Sequence, residues 1–366
     1  MAVNYGTKLA DLRLRRLGID RDPSVYFERS GIVEKYEGRA TGSATRYALG
    51  AMQEVSPRYT EISVEECERI ANQLVKGLDE VGQTAEFRLQ GSVPLNTHIR
   101  GVSDVDFLVL LGRYFTYDRS GPAANSYYPY AGSMLEDVTA LRRRCEAILA
   151  SKFPAVKVDT NGSKAIRLSG GSLRREIDVV PSHWFNSLEY QRTYDESYRG
   201  VSILDESIPR LMDNYPFLHI KKINEKDSMC TGGAKMAIRL LKNIKNDSDQ
   251  GIRLSSYECA GLMWHANNQL ITSRNGYEMQ VLGGTELHLT ALSTDYAGTC
   301  ALRTPDNTRC IIDEPSKFLD LVKLAQEVSA LAVAVAAEAP PTLRDYAGAS
   351  RPDRRKVLTE MYIPGA

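Results

Sequence analysis

The sequence predicts an α/β (α+β) protein in two parts, an α/β half followed by a helical half, with the change near residues 200–210. Three observations predict it. The 366 residues are enough for two domains or one large bilobal unit. Up to about residue 180, short apolar runs alternate with helical periodicities. From about Ile208 onward the signals are helical. Hydrophobic residues at 43% and charged residues at 25% are an ordinary globular composition. The 46 Lys and Arg balance the 46 Asp and Glu, so the net charge is zero. That argues against extended nucleic-acid binding, though not against a local basic groove. No apolar run approaches the length of a membrane span, and the N-terminal stretch has no signal-like apolar core. A cytoplasmic protein is expected. Its six cysteines are scattered without metal spacing, so they read as free thiols and no structural zinc is expected.

The elements follow in order. The first sixty residues are polar and mixed, with little periodicity. Ser63 and Glu66 fit a capping box, and Val64, Cys67, Ile70, Leu74, Leu78 and Val81 continue at helical spacing to Gly82. A short strand over Glu86–Leu89 leads to Gly91–Ser92, and the apolar run Val105–Leu111 reads as a strand buried on both faces. The Tyr-rich stretch from Gly121 to Gly132 is a loop. A helix follows Ser133, with Glu136 in capping-box position, and runs to about Ser151. Val156–Asp159, Ala165–Leu168 and Arg175–Val180 are strand candidates, punctuated by Asn161–Gly162 and Gly170–Gly171. Helices are expected over Gly233–Asn246, Ser256–Gln269 and Lys317–Glu338, the last ended by Pro340–Pro341. The tail beyond, with Arg351, Arg354, Arg355 and Lys356, reads as mobile.

The chemistry is concentrated in QGSVPLNTHIRGVSDVDFLVLL, Gln90 to Leu111. Gly91 lets backbone approach a ligand closely, a turn there can aim N–H groups at a phosphate, and Ser92 adds a hydroxyl donor. Asp104 and Asp106 lie two residues apart at the mouth of the buried strand, so both carboxylates point the same way. Like charges so placed need compensation, and a divalent cation with hard oxygen ligands supplies it. Asp178, on another short apolar strand, is the third carboxylate, and Glu176 on the same face competes with it. Three carboxylates suit a two-ion site that activates a hydroxyl and steadies a triphosphate and its leaving pyrophosphate. The expected ions are two Mg²⁺, with Mn²⁺ as a substitute.

In the second half, Lys235, Arg239 and Lys242 fall at i, i+4 and i+7 on one helix face, with Ala237, Leu240, Leu241 and Ile244 opposite. Such a stripe is either a solvated face or, beside a carboxylate cleft, a triphosphate grip. Ser256 reads as a phosphate contact or a helix N-cap, and Tyr257 as a base-stacking ring or a core aromatic. Tyr127, Tyr128 and Tyr130 read as base-pocket or surface residues, and His183 as a structural histidine.

Together, GS, DVD and a distant EIDVV resemble the DNA-polymerase-β-like nucleotidyltransferases. IRLLK followed by SSYE resembles the helical lobe of oligoadenylate synthetase and cyclic GMP-AMP synthase, so the chain resembles a bacterial cGAS/DncV-like nucleotidyltransferase (CD-NTase) over roughly Tyr47 to Glu338. The resemblance implies a bilobal fold: a mixed-sheet nucleotidyltransferase core over 1–205 with a spine helix at Ser63, a helical lobe over 206–340 that closes the cleft, and a tail over 341–366. It implies that Gln90, Gly91 and Ser92 form the donor-phosphate loop and that Asp104, Asp106 and Asp178 bind metal. By the same resemblance Lys235, Arg239, Lys242 and Ser256 contact the triphosphate, and Tyr257 stacks on a base. The implied activity joins nucleoside triphosphates (ATP, GTP, UTP or CTP) into a cyclic di- or trinucleotide messenger of anti-phage defence. The small C-terminal residues Gly365–Ala366 suit a regulatory or conjugating partner acting on the tail. Two features depart from the family pattern. The zinc insertion of the animal cyclic GMP-AMP synthases is absent, so sensing of double-stranded DNA by that route is not expected, and the usual tryptophan near the end of the RLLK helix is Ile244. The alternatives are a nucleotidyltransferase making linear oligonucleotides or modifying RNA, an antibiotic or a protein, and a catalytically idle nucleotide-binding scaffold.

Overall fold

A computed structural model describes residues 3–18, 31–128, 130–344 and 350–365. Two compact units emerge, each drawn from several stretches of chain. One comprises Ser56–Pro94 and Asp104–Lys221, the other Met1–Val55, Leu95–Ser103 and Lys222–Ala366.

The first of these, the sheet unit, is a seven-stranded mixed sheet carrying two long helices. Its strands are β1 (Ala85–Gln90), β2 (Val105–Tyr117), β3 (Lys157–Asp159), β4 (Ile166–Ser169), β5 (Ile177–Asn186), β6 (Gly200–Asp205) and β7 (Arg210–Asn214). The order is β1-β2-β5-β4-β3, with β6 pairing the later part of β5 and β7 pairing β6. Only β2 and β5 run parallel; the other pairs are antiparallel. As its apolar run predicts, β2 is buried on both faces. Phe107, Val109 and Leu111 join a core with Cys67, Ile70 and Leu74 of α3 (Pro57–Asp79) and Leu141, Cys145 and Leu149 of α4 (Met134–Lys152). Leu108 and Leu110 face the other way, onto Val180, Trp184, Val201 and Ile203. Asp106 shares this second face, opposite the one that α3 and α4 cover.

Helix α3 begins seven residues before the expected start, its N-cap being Ser56 where Ser63 was expected. Ser56 caps it by accepting from the Tyr59 N–H (3.3 Å), and Pro57 is its first residue. Ser63 and Glu66, expected as the capping box, lie inside the helix and hold the lead-in to β5. Ser63 donates to Tyr59 O (2.9 Å) and accepts from Arg175, whose other nitrogen reaches Tyr59 O (2.8 Å). Glu66 accepts from the Arg174 N–H (2.9 Å). Strands β6 and β7 also depart from expectation, because β7 lies where helical signals were read. Its sequence, RLMDN, has little β-propensity of its own and is held by pairing residue for residue with β6.

The helical unit contains α1 (Tyr5–Leu17), α2 (Ser43–Met52), α6 (Gly233–Asn246), α7 (Ser256–Trp264), α8 (Met279–Thr294), α9 (Pro315–Ala337) and α10 (Arg351–Glu360); α5 (Pro216–Met229) crosses the division between the units. Helices α1 and α2 were not legible as elements. A buried polar cluster secures them: Arg15 binds Asp247 (2.6 and 3.1 Å) and Asn243 (2.9 Å), and the Tyr47 hydroxyl donates to Asp247 (2.8 Å). The expected helix Ser256–Gln269 is two, α7 and a turn over Asn268–Ile271, and its N-cap is Ser255, not Ser256, in a capping box with Glu258. The tail expected to be mobile is helix α10, packed on α8 and α9 through fully buried Val357 and Leu358. Beyond it the Ile363 N–H donates to Gly276 O (2.7 Å) and Arg39 donates to Pro364 O (2.9 Å). Ala366, one of the two small terminal residues, lies outside the described residues. No helix among the described residues is long and apolar enough to cross a membrane.

Two of the three basic residues of the α6 stripe, Arg239 and Lys242, are buried. Arg239 is 6% exposed and donates to Met52 O and Asn96 O, both at 2.7 Å. Lys242 is 2% exposed and donates to Thr97 O (2.8 Å) and Ser103 Oγ (3.0 Å). Burial pushes the Arg239 pKa down to about 10, so it stays charged at neutral pH. These donors are engaged by the carbonyl of Met52 and by the loop over 95–103, so Arg239 and Lys242 are not the open triphosphate stripe that was expected. Lys242→Met leaves the Thr97 carbonyl unpaired, and its expected cost is about 1–3 kcal/mol. Urea unfolding, with faster amide exchange over residues 95–103, checks this. Wild-type stability combined with weakened triphosphate binding would return Lys242 to an open, ligand-facing role.

Candidate active site

Register builds the site. In β2 and β5, Asp106 pairs with Asp178; in β1, Gln90 pairs with Asp106; in β4, Arg167 pairs with Asp178. Directly paired residues share a face. A single row, Gln90–Asp106–Asp178–Arg167, therefore crosses four strands. Asp104, just before β2, lies two residues from Asp106 on the same side. Glu176, the competing carboxylate, precedes β5, and its carbonyl accepts from the Val105 N–H (3.2 Å). The residue in register with Asp106 is Asp178.

Gly91 follows Gln90 with φ of +76°, the left-handed region that favours glycine. A Cβ at this position would lie 2.6 Å from Asp106 Oδ2. The residue is thus constrained by its backbone angle and by the carboxylate packed against it. Ser92 follows, half-buried in the same turn.

The electrostatics centre on Arg167, which sequence reading missed. Its Nε is 3.1 Å and its Nη2 3.4 Å from the two Asp178 oxygens, and Nη2 is 3.8 Å from Asp104 Oδ2. The hydrogen bond to Asp178, then its charge, raises the Arg167 pKa above its usual range. The three aspartates and Arg167 leave a net charge of −2. Carboxylates of this kind are hard oxygen donors of the type Mg²⁺ and Mn²⁺ take, although no group of three or more His, Cys, Asp or Glu side chains among the described residues forms a ready-made cage. The signal that locates Arg167 was present. Gly170–Gly171 mark the turn between β4 and β5, and the antiparallel pairing across it brings Arg167 opposite Asp178.

The structure brings Gln90, Gly91, Ser92, Asp104, Asp106 and Asp178 into the sheet unit. Lys235, Arg239, Lys242, Ser256 and Tyr257 belong to the helical unit. Lys235 is partly exposed, 3.8 Å from Asp227, and Ser256 is exposed at the first turn of α7. The Tyr257 hydroxyl donates to Asp306 (2.6 Å), and the Arg309 guanidinium lies 5.5 Å from its ring centre. Burial and Asp306 hold that hydroxyl well above its usual pKa. Of the loop tyrosines, Tyr128 is 95% exposed, Tyr127 packs on Phe115 and Tyr117, and Tyr130 packs on Tyr114. His183 is fully buried, its Nδ1 2.9 Å from the Trp184 carbonyl.

No protein-family model matches the chain. A cyclic dinucleotide synthase CdnE from Yersinia aleksiciae is 43% identical over 309 residues, covering 83% of this chain and 80% of that one. The solved structure of a STING-associated CdnE c-di-GMP synthase from Capnocytophaga granulosa matches with a TM-score of 0.68 at 25% identity, covering 90% of this chain and 97% of that one. A STING-associated CdnE c-di-GMP synthase from Flavobacteriaceae sp. shares the fold, with a TM-score of 0.73 at 22% identity over 90% of this chain and 98% of that one. The carboxylate row thus sits in a nucleotidyltransferase fold, and with a relative this similar across most of both chains, the protein belongs to the CD-NTase family, the cGAS/DncV-like nucleotidyltransferases.

Proposed function

We propose that this protein joins ribonucleoside triphosphates into a cyclic di- or trinucleotide, releasing pyrophosphate, with Mg²⁺ held by Asp104, Asp106 and Asp178. The observation that carries the reading is the in-register Asp106–Asp178 pair beside the Gly91 turn. The residues fit the ion by their chemistry: hard oxygen donors in a net negative row. When bound, the ion supplies charge neutralisation at the phosphates and a lowered pKa for the attacking hydroxyl.

The chain's own residues do the positioning. The Gly91–Ser92 turn offers backbone N–H groups and a hydroxyl to donor phosphates, and the absence of a Cβ lets Asp106 approach that turn. Asp178 lies beside Asp106, where it can receive the proton of an acceptor ribose hydroxyl. Holding two nucleotides in line supplies most of the acceleration, since phosphoryl transfer asks little covalent work of protein groups. Lys235, Ser256 and Tyr257 are the helical-unit residues proposed to contact the donor nucleotide. Arg239 and Lys242 are assigned to anchoring the loop over 95–103. The proposed setting is cytoplasmic anti-phage signalling, with exposed Gly365 as the described point at which a regulatory or conjugating partner would reach the tail.

Two experiments test this reading. Purified protein with all four ribonucleoside triphosphates and Mg²⁺ or Mn²⁺ is expected to yield a phosphatase-resistant cyclic product by mass spectrometry. Asp104→Asn with Asp106→Asn should abolish it while circular dichroism stays unchanged. A phosphatase-sensitive linear product would favour the oligonucleotide-synthetase alternative, and nucleotide binding without pyrophosphate release would favour the idle scaffold. In the second, Gly91→Ala is expected to cost about 1–2 kcal/mol of stability through its left-handed backbone, and at least about tenfold in turnover, each 1.4 kcal/mol of lost transition-state stabilisation being tenfold. Full activity in that variant would remove the turn from the mechanism.

A further inference from the structure

Asp178 already has a partner. Arg167 grips both of its oxygens (3.1 and 3.4 Å) and reaches to 3.8 Å from Asp104. The two sides of this contact differ in burial: the Asp178 side chain is 14% exposed and that of Arg167 51%. The arginine is the side that can move. A guanidinium fork matches a carboxylate edge to edge, and arginine keeps its charge at every working pH. The Asp178 carboxylate thereby engages Arg167 of the neighbouring strand β4.

We propose that Arg167 is a resident counter-ion of the carboxylate row. It holds Asp178 and Asp104 together while the row is free of metal, and a divalent cation binds only by displacing it. The arginine thereby sets the metal concentration at which the site fills. This rests on the reading of Asp104, Asp106 and Asp178 as the cation site, and it makes Arg167 a positioning residue, not a ligand. A partly exposed, bidentate ion pair of this kind is worth about a two- to fivefold factor in the competition.

The test is titration of Mn²⁺ alone into nucleotide-free protein, followed by electron paramagnetic resonance. Arg167→Gln is expected to bind Mn²⁺ about two- to fivefold more tightly than wild type, and Arg167→Lys, which keeps the charge, less tightly than Arg167→Gln. The Mg²⁺ concentration for half-maximal synthesis should fall in the same order. Unchanged or weaker Mn²⁺ binding by a folded Arg167→Gln variant would overturn the proposal. Asp106→Asn in the same titration separates the two readings. If it abolishes binding, the row is the cation site and the Arg167 result stands on its own. If binding persists, the cation-site reading fails and takes this proposal with it.

Discussion

The parallel pairing of β2 with β5 is the constraint on which the site depends. It sets Asp106 beside Asp178, and the antiparallel strands on either side then add Gln90 and Arg167 to the same row. A one-residue slip of β5 would send Asp178 to the opposite face. The register is held by burial on both sides of β2, with one face against α3 and α4 and the other against Val180, Trp184 and Val201.

That pairing has an electrostatic cost. Two carboxylates about 5 Å apart repel by about 3 kcal/mol at an effective dielectric of 20. Fully burying a single Leu, Val or Phe returns about 1.5–3 kcal/mol, and β2 buries Phe107, Leu108, Val109 and Leu110 within 2% exposure. The core therefore outweighs the conflict at the strand mouth, and Arg167 relieves part of it locally. A local rule broken inside a well-packed sheet is the pattern expected of a functional site.

Much of this was legible in the sequence, for physical reasons that can be named. The run Val105–Leu111 announces a doubly buried strand because it is continuously apolar, and the two aspartates at its mouth stand out against it. Helix α6 was readable to the residue because its apolar face is periodic. What failed depended on partners distant in sequence. Ser63 and Glu66 have the spacing of a cap, yet they accept from Arg175 and the Arg174 backbone more than a hundred residues away. Arg239 and Lys242 look like a solvated stripe until the carbonyls of 52, 96 and 97 fold over them. Helices α1 and α10 draw on buried polar and apolar contacts that no local pattern displays. Arg167 was hidden for a lesser reason: only counting back across the Gly170–Gly171 turn reveals its register.

On the proposed function, the row formed by the β2–β5 register is where the divalent cation and the nucleotide meet. Its most direct test is anomalous diffraction at the manganese edge from crystals grown with Mn²⁺ and a non-hydrolysable nucleoside triphosphate. A manganese peak is expected within coordination distance, about 2.0–2.3 Å, of both Asp106 and Asp178 oxygens and beside the nucleotide phosphates. A nucleotide bound with its manganese away from both aspartates would contradict it.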